Sequence, residues 1–251
     1  MFLGMAMKKK WIFLILLFLP FSSAFAEVQS IPLIVAKHSG NAVSYNLSIK
    51  ILALMTILTV LPALLITMSA FTRIIIVLSI VRQAIGIPNV PSNQILIGLS
   101  LIMTLFVMMP VLQKINDAGI QPYMQGKISE EVALTKSSEF LKTFMLKQTR
   151  KVDLKIFTDL SKEKLQSDDS SSMLVIMPSY ITSELKTAFE IGFLILLPFL
   201  IIDLVIASIL MSMGMMMLSP IVISLPFKIL FFVLADGWGL IIQSLILSFR
   251  A

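Results

Sequence analysis

The 251-residue chain has no cysteine and a single histidine, His38. Without thiols it can form no disulfide, no thiolate metal site and no cysteine nucleophile. Ser–His–Asp catalysis would have to use His38, which reads as an exposed bystander in a polar stretch near the expected mature N-terminus. Phosphate loops of the GxxxxGK[ST] type, HExxH, GxSxG and a GxGxxG after a strand are all missing. Asp168 and Asp169 are adjacent carboxylates, but a serine-rich loop offers no scaffold to fix their separation. No cofactor, no metal site and no enzymatic activity are therefore expected. Charge is scarce too: 14% of residues are charged, against about 25% in soluble domains. That excludes an ordinary water-soluble globule. The formal net charge is +6, yet Lys8, Lys9 and Lys10 supply half of it within a segment expected to be removed. No basic cluster of the kind that binds nucleic acid survives in the rest.

Apolar residues dominate instead, at 57% with a mean hydropathy of +0.96. The three lysines are followed by the short apolar run Trp11–Leu19 and then by Ala24-Phe25-Ala26, the three parts of a cleavable export signal. Nine residues are too few to cross roughly 30 Å of hydrocarbon. Residues 1–26 are thus expected to be a signal peptide, with Glu27 starting a non-cytoplasmic segment 27–48.

Residues 49–112 hold two apolar stretches, Ile51–Thr72 without any charge and Ile95–Leu112. Gly86, Pro88 and Pro91 break the chain between them. Residues 113–180 form a polar insertion, in which the section from Gln113 to Ser172 carries nineteen of the chain's thirty-four charges. There Phe140 and Phe144, Leu141 and Met145, then Val152, Ile156 and Leu160 recur at helical spacing, which predicts amphipathic helix. Spacing alone reads Phe144 and Phe157 as packing residues. Residues 181–251 return to apolar stretches, Phe189–Leu218 and Ile221–Phe249. The fold class is all-α: apolar helical hairpins at a membrane, separated by an amphipathic helical insertion. A non-cytoplasmic start places Arg73 and Arg82 inside, as the positive-inside rule expects, and the insertion outside.

Glu190, Asp203, Lys228 and Asp236 interrupt the last two stretches, and Arg73 separates the first from the apolar run Ile74–Leu78 that continues it. Charges at mid-membrane cost about 2.5–3.5 kcal/mol each and normally face a partner or a cavity. These five are expected to be buried charges, paired between helices or between subunits. Pro198 and Pro226 favour kinks, and glycines at 192, 214, 237 and 239 would allow close helix approach. Between the two stretches lies Met213-Gly214-Met215-Met216-Met217. Flexible thioethers can fill core gaps or form a deformable apolar plug; copper ligation would usually add His or Cys.

Several strings resemble the FliP/SctR family of type III secretion export-gate proteins. They are Ser69–Val77, Tyr180–Phe189, Pro198–Ser208, the Gly-Met-Met-Met run at 214–217, Leu225-Pro226-Phe227-Lys228 and Asp236-Gly237-Trp238. The resemblance covers the whole mature chain in order and is weakest at 161–177; the signal segment favours the flagellar branch over a virulence SctR protein. It implies a homo-oligomer assembled with FliQ and FliR, with FlhB and FlhA nearby, at the inner membrane of the flagellar basal body. It implies a ring-like helical assembly, held largely above the bilayer plane, through which unfolded flagellar subunits pass. By resemblance, Met215, Met216 and Met217 form the gate, Phe144 and Phe157 serve channel closure or subunit contact, and Glu184 and Lys228 form inter-subunit salt bridges. A rival of another class is an ion-coupled solute transporter using Asp203 and Glu190.

Overall fold

In a computed structural model, residues 43–161, 172–215 and 217–249 are described, with side chains from residue 51 onward. The expected signal peptide, His38, Asp168, Asp169 and Met216 lie outside the described residues. The chain divides into two units at Ile57/Leu58. The first contributes to the description only the start of helix α1 (Val43–Thr67), which crosses the division.

Within the second unit the described elements are all helical. They are α2 (Phe71–Ile85), α3 (Asn93–Ile115), a π-helical turn at Asn116–Ile120, α4 (Gln121–Met124), α5 (Glu130–Gln148), α6 (Lys151–Ser161), α7 (Met173–Ser212), α8 (Pro220–Leu234) and α9 (Gly237–Leu247). α3 through α4 makes a continuous 32-residue span, and α7 a 40-residue one; each is long and apolar enough to cross a membrane. The pairs 51–67 with α2, and α8 with α9, reach span length only across bends of 64° and 62°.

α2 is the centre of the unit. Ile74, Val77, Leu78 and Val81 repeat at i, i+3, i+4 and i+7 and are fully buried, forming one stripe that packs mainly on α7 and also on α3 and α8. The apolar run after Arg73 is therefore core rather than a lipid-facing continuation of the first stretch. Leu58, Leu61 and Leu65 of α1, by contrast, are 58%, 45% and 50% exposed. An apolar surface this extensive marks contact with lipid or protein. A second, smaller cluster of Met145, Leu154, Val175, Ile176 and Tyr180 joins the polar insertion to the start of α7.

The breaks do not fall at the prolines. α7 continues through Pro178 and Pro198, and α8 through Pro226. The first bend follows Thr67 and Ser69, whose hydroxyls donate to the carbonyls of Ala63, Leu64 and Ile66 and compete with helix continuation. The second falls at Asp236, whose φ of 48° is left-handed. Gly86 ends α2 with φ +84°, as the turn chemistry of 86–91 predicts.

The insertion also differs from a single amphipathic helix. It breaks at Thr149, whose backbone is extended, because the Arg150 amide donates to the Ser183 hydroxyl of α7 at 3.0 Å. α7 begins at Met173, so residues 173–180 are the first turns of the helix that carries 181–212.

Of the four glycines expected at close contacts, Gly192 meets Ile80 of α2 and Gly237 meets Phe232. A Cβ on Gly239 would meet only the nearby Asp236 side chain, and one on Gly214 nothing. Gly192→Val should force Ile80 off the α7 face and destabilise the unit by about 1–3 kcal/mol. Thermal unfolding in detergent reads this, and an unchanged midpoint would contradict the close packing.

Candidate gate and ion-pair network

Arg73 is the most heavily used side chain. Its Nε donates to Glu184 Oε2 at 2.8 Å and one terminal nitrogen to Glu184 Oε1 at 2.5 Å. The same terminal nitrogen reaches Gln148 Oε1 at 3.0 Å, and the other donates to the carbonyl and hydroxyl of Ser248, each at 3.0 Å. All five guanidinium hydrogens are thereby used, and the Phe249 ring lies 3.9 Å below the guanidinium carbon. Gln148 returns a bond from Nε2 to the Phe249 carbonyl. One cation thus ties together α2, the end of α5, α7 and the segment after α9. Both ionic side chains are sealed, at 3% and 0% exposure. Beside them the Tyr180 hydroxyl donates to the Ser69 carbonyl at 2.8 Å.

A second polar seam fastens α6 to α7. Asp153 is fully buried and accepts from Ser183 Oγ at 2.8 Å and from the Lys186 ammonium. Arg150 donates to both oxygens of Glu190 and to Thr187. Burial pushes the Asp153 carboxyl up, but bonds from Lys186 and Ser183 and the nearby cations outweigh it, leaving it below the ordinary carboxylate range. A depressed carboxylate stabilises the fold above the pKa of the unfolded chain and loses that contribution as pH falls through its folded value. Acidifying from about pH 6 to about pH 3 should therefore loosen α6, lowering the hydrogen-exchange protection of residues 151–161 relative to the intrinsic exchange rate at each pH. Asp153→Asn should raise exchange at neutral pH and flatten the dependence. Protection in the parent chain unchanged at about pH 3 would contradict the assignment.

The third pair joins α7 to α8. Asp203 accepts from Lys228 Nζ and from Ser224 Oγ, both at 2.5 Å. Lys228 is buried, while the Asp203 side chain keeps 27% of its exposure. The Nζ lies about 4 Å from where a Gly86 Cβ would stand, near the C-terminal end of α2. A cation there meets the negative end of the helix dipole.

Of the five charges expected to be buried, Arg73 and Lys228 are, and Asp203 is half-buried. Glu190 and Asp236 are exposed in the chain. Glu190 points outward to the insertion through Arg150, and Asp236 occupies the bend between α8 and α9. Glu184 and Lys228 both find their partners within one chain.

The methionine tip follows from the end of α7. Gly214 takes φ +73°, its amide donates to the Met211 carbonyl, and the Met215 amide donates to the Leu210 carbonyl. This pair of bonds is a Schellman turn, which needs a left-handed residue at that position. Gly214 is therefore required by the backbone. The turn projects Met213 at 67%, Met215 at 40% and Met217 at 101% exposure. Phe144 and Phe157 lie at the second core cluster, half-buried, with Phe144 tilted against Tyr180 at 6.2 Å between ring centres.

Sequence reasoning missed Gln148, Ser248 and Phe249 around Arg73, and the seam of Asp153, Arg150, Ser183 and Lys186. The seam did leave a signal. Ser183, Lys186, Thr187 and Glu190 fall at i, i+3, i+4 and i+7 on a helix that is otherwise largely apolar, which puts them on one face. Among the described residues no group of three or more His, Cys, Asp or Glu could hold a metal ion.

Span-length apolar helices, broken helix pairs, internally compensated charges and an exposed thioether tip define a helical membrane protein. The chain belongs to the FliP family, whose model matches residues 54–245. It is similar to the flagellar biosynthetic protein FliP of Pectobacterium carotovorum subsp. carotovorum, at 53% identity over 82% of this chain and 80% of that protein. The Bacillus subtilis (strain 168) protein of the same name is 50% identical over 84% of this chain and 96% of its own length. That of Aquifex aeolicus (strain VF5) is 45% identical over 91% and 96%.

Proposed function

We propose that the chain is a non-enzymatic, pore-forming core subunit of the flagellar type III protein export gate. Copies assemble into a ring with FliQ and FliR, with FlhB and FlhA nearby, in the inner membrane, the insertion facing the periplasm. Unfolded flagellar subunits pass through the shared conduit. Family membership supports the flagellar setting over a virulence secretion system. The observation that carries the gate is the methionine tip: a fully exposed Met217 beside Met213 and Met215, on a backbone turn built to project them. Thioethers without hydrogen-bonding demands suit a seal that must close on itself and reopen around cargo of varied shape.

Of the two residues assigned to bridging between copies, Lys228 keeps a route to a neighbour through the partly exposed Asp203. Glu184 is enclosed, and its pair with Arg73 serves the single chain first. Phe144 and Phe157 support the outer part of the conduit from their position at the insertion's core.

In a flagellated bacterium lacking its own family member, this chain should restore secretion of hook and filament subunits. Normal membrane insertion without any recovery of secretion would overturn the reading.

A further inference from the structure

A cavity of about 290 Å³ opens between the C-terminal half of α3, the C-terminal half of α5 and the end of α9. Its walls are apolar and aromatic, with Phe106 and Pro110 from α3, Phe140 from α5, and Ile246 and Phe249 closing the far side. Two cations stand in this apolar lining, Lys114 and Lys147. Both are exposed, and neither takes part in an ion pair among the described residues.

Lys114 stands two residues past Leu112, where the apolar stretch of α3 gives way to polar residues. Below it Ile102, Leu105, Phe106 and Met109 form a stripe at 67%, 59%, 57% and 53% exposure. Phe106 belongs both to that stripe and to the cavity wall. The cavity is therefore the upper end of a continuous apolar track that begins at two ammonium groups.

We infer that this groove binds one anionic phospholipid, its phosphate held by Lys114 and Lys147 and an acyl chain laid along Phe106 and the exposed α3 stripe. Paired cations at the end of an apolar track complement a phosphodiester joined to a hydrocarbon chain, the chemistry by which basic pockets between membrane helices select anionic lipids. Phosphatidylcholine would fill the track equally well and brings the same phosphodiester, but its own quaternary ammonium cancels that charge, so the two lysines gain no net compensation from it. The floor of the groove is the Gln148–Phe249 contact that also braces Arg73. A lipid seated there would hold the insertion against α3.

The test is native mass spectrometry of the full chain in detergent, titrated with dioleoylphosphatidylglycerol or dioleoylphosphatidylcholine. The parent chain should retain one phosphatidylglycerol at concentrations where phosphatidylcholine is not retained. Lys114→Gln with Lys147→Gln should weaken that retention roughly tenfold or more, at about one kcal/mol per cation. Lys127→Gln with Lys136→Gln, outside the groove, should not. Equal retention of both lipids, or equal loss in the two double variants, would overturn the inference. So would a change in self-association on Lys114/Lys147 substitution without change in lipid retention, which would make a second copy the occupant. Helix content of each variant, read by circular dichroism, separates loss of binding from loss of fold.

Discussion

Glu184→Ala should be among the most destabilising single substitutions in the chain, at about 3–5 kcal/mol. The cost comes from what remains. Arg73 is buried and loses both carboxylate acceptors, keeping only Gln148 and Ser248. A charge left uncompensated in an apolar interior is far more expensive than the ion pair was favourable. Arg73→Ala should cost a similar amount, because it strands Glu184 and also releases the segment after α9. Arg73→Met combined with Glu184→Leu should recover part of the loss, since a buried pair exchanged for apolar side chains is often near neutral. The recovery should be incomplete, as Gln148 and Ser248 lose their bonds as well. Denaturant unfolding in detergent measures all of these. Equal stability of Glu184→Ala and the parent chain would mean that the pair is not closed in solution.

The second large effect concerns ions rather than stability. Replacing Met215, Met216 and Met217 together by alanine should open a sodium and proton leak in cells carrying the assembled protein. Hydrophobic constrictions close pores by excluding water, and shortening each side chain widens the constriction. Helix content should remain unchanged, because Met215 and Met217 are exposed in the single chain. Gly214→Val should act differently. Its φ of +73° is strained for a β-branched side chain, so the turn itself would move and disturb assembly as well as closure. Membrane conductance in whole cells, compared with export of a reporter subunit, distinguishes the two classes. A triple alanine variant that stays tight would remove the methionines from the seal.

The helical class and the apolar stretches were legible, because hydropathy and spacing report them directly. Gly86 was legible as a turn, since a glycine before two prolines leaves few alternatives. The partner of Arg73 was not. Glu184 lies 111 residues away, and periodicity within one helix says nothing about which distant helix faces it. The surroundings of Glu190 and Asp236 within the single chain were hidden for a related reason. Hydropathy along the chain does not show that the insertion supplies Arg150 to Glu190, or that a helix break places Asp236 at a bend. The interior prolines do not mark the helix breaks. α7 and α8 tolerate Pro198 and Pro226, and the bends form where hydroxyls compete for backbone carbonyls or where Asp236 turns left-handed. The methionine tip was visible as a string, but whether it fills a gap or faces outward depends on the Schellman turn after Ser212.

The absence of cysteine makes the central claim directly measurable. Met217→Cys introduces a lone thiol at the most exposed point of the tip, and Leu174→Cys places one at 85% exposure near the other end of α7. Under mild oxidation in native membranes, copies gathered around a shared axis should yield disulfide-linked dimers through residue 217 and few through residue 174. Absence of cross-linking at 217, with both thiols open to a soluble reagent, would place the tip away from any common axis and contradict the gate.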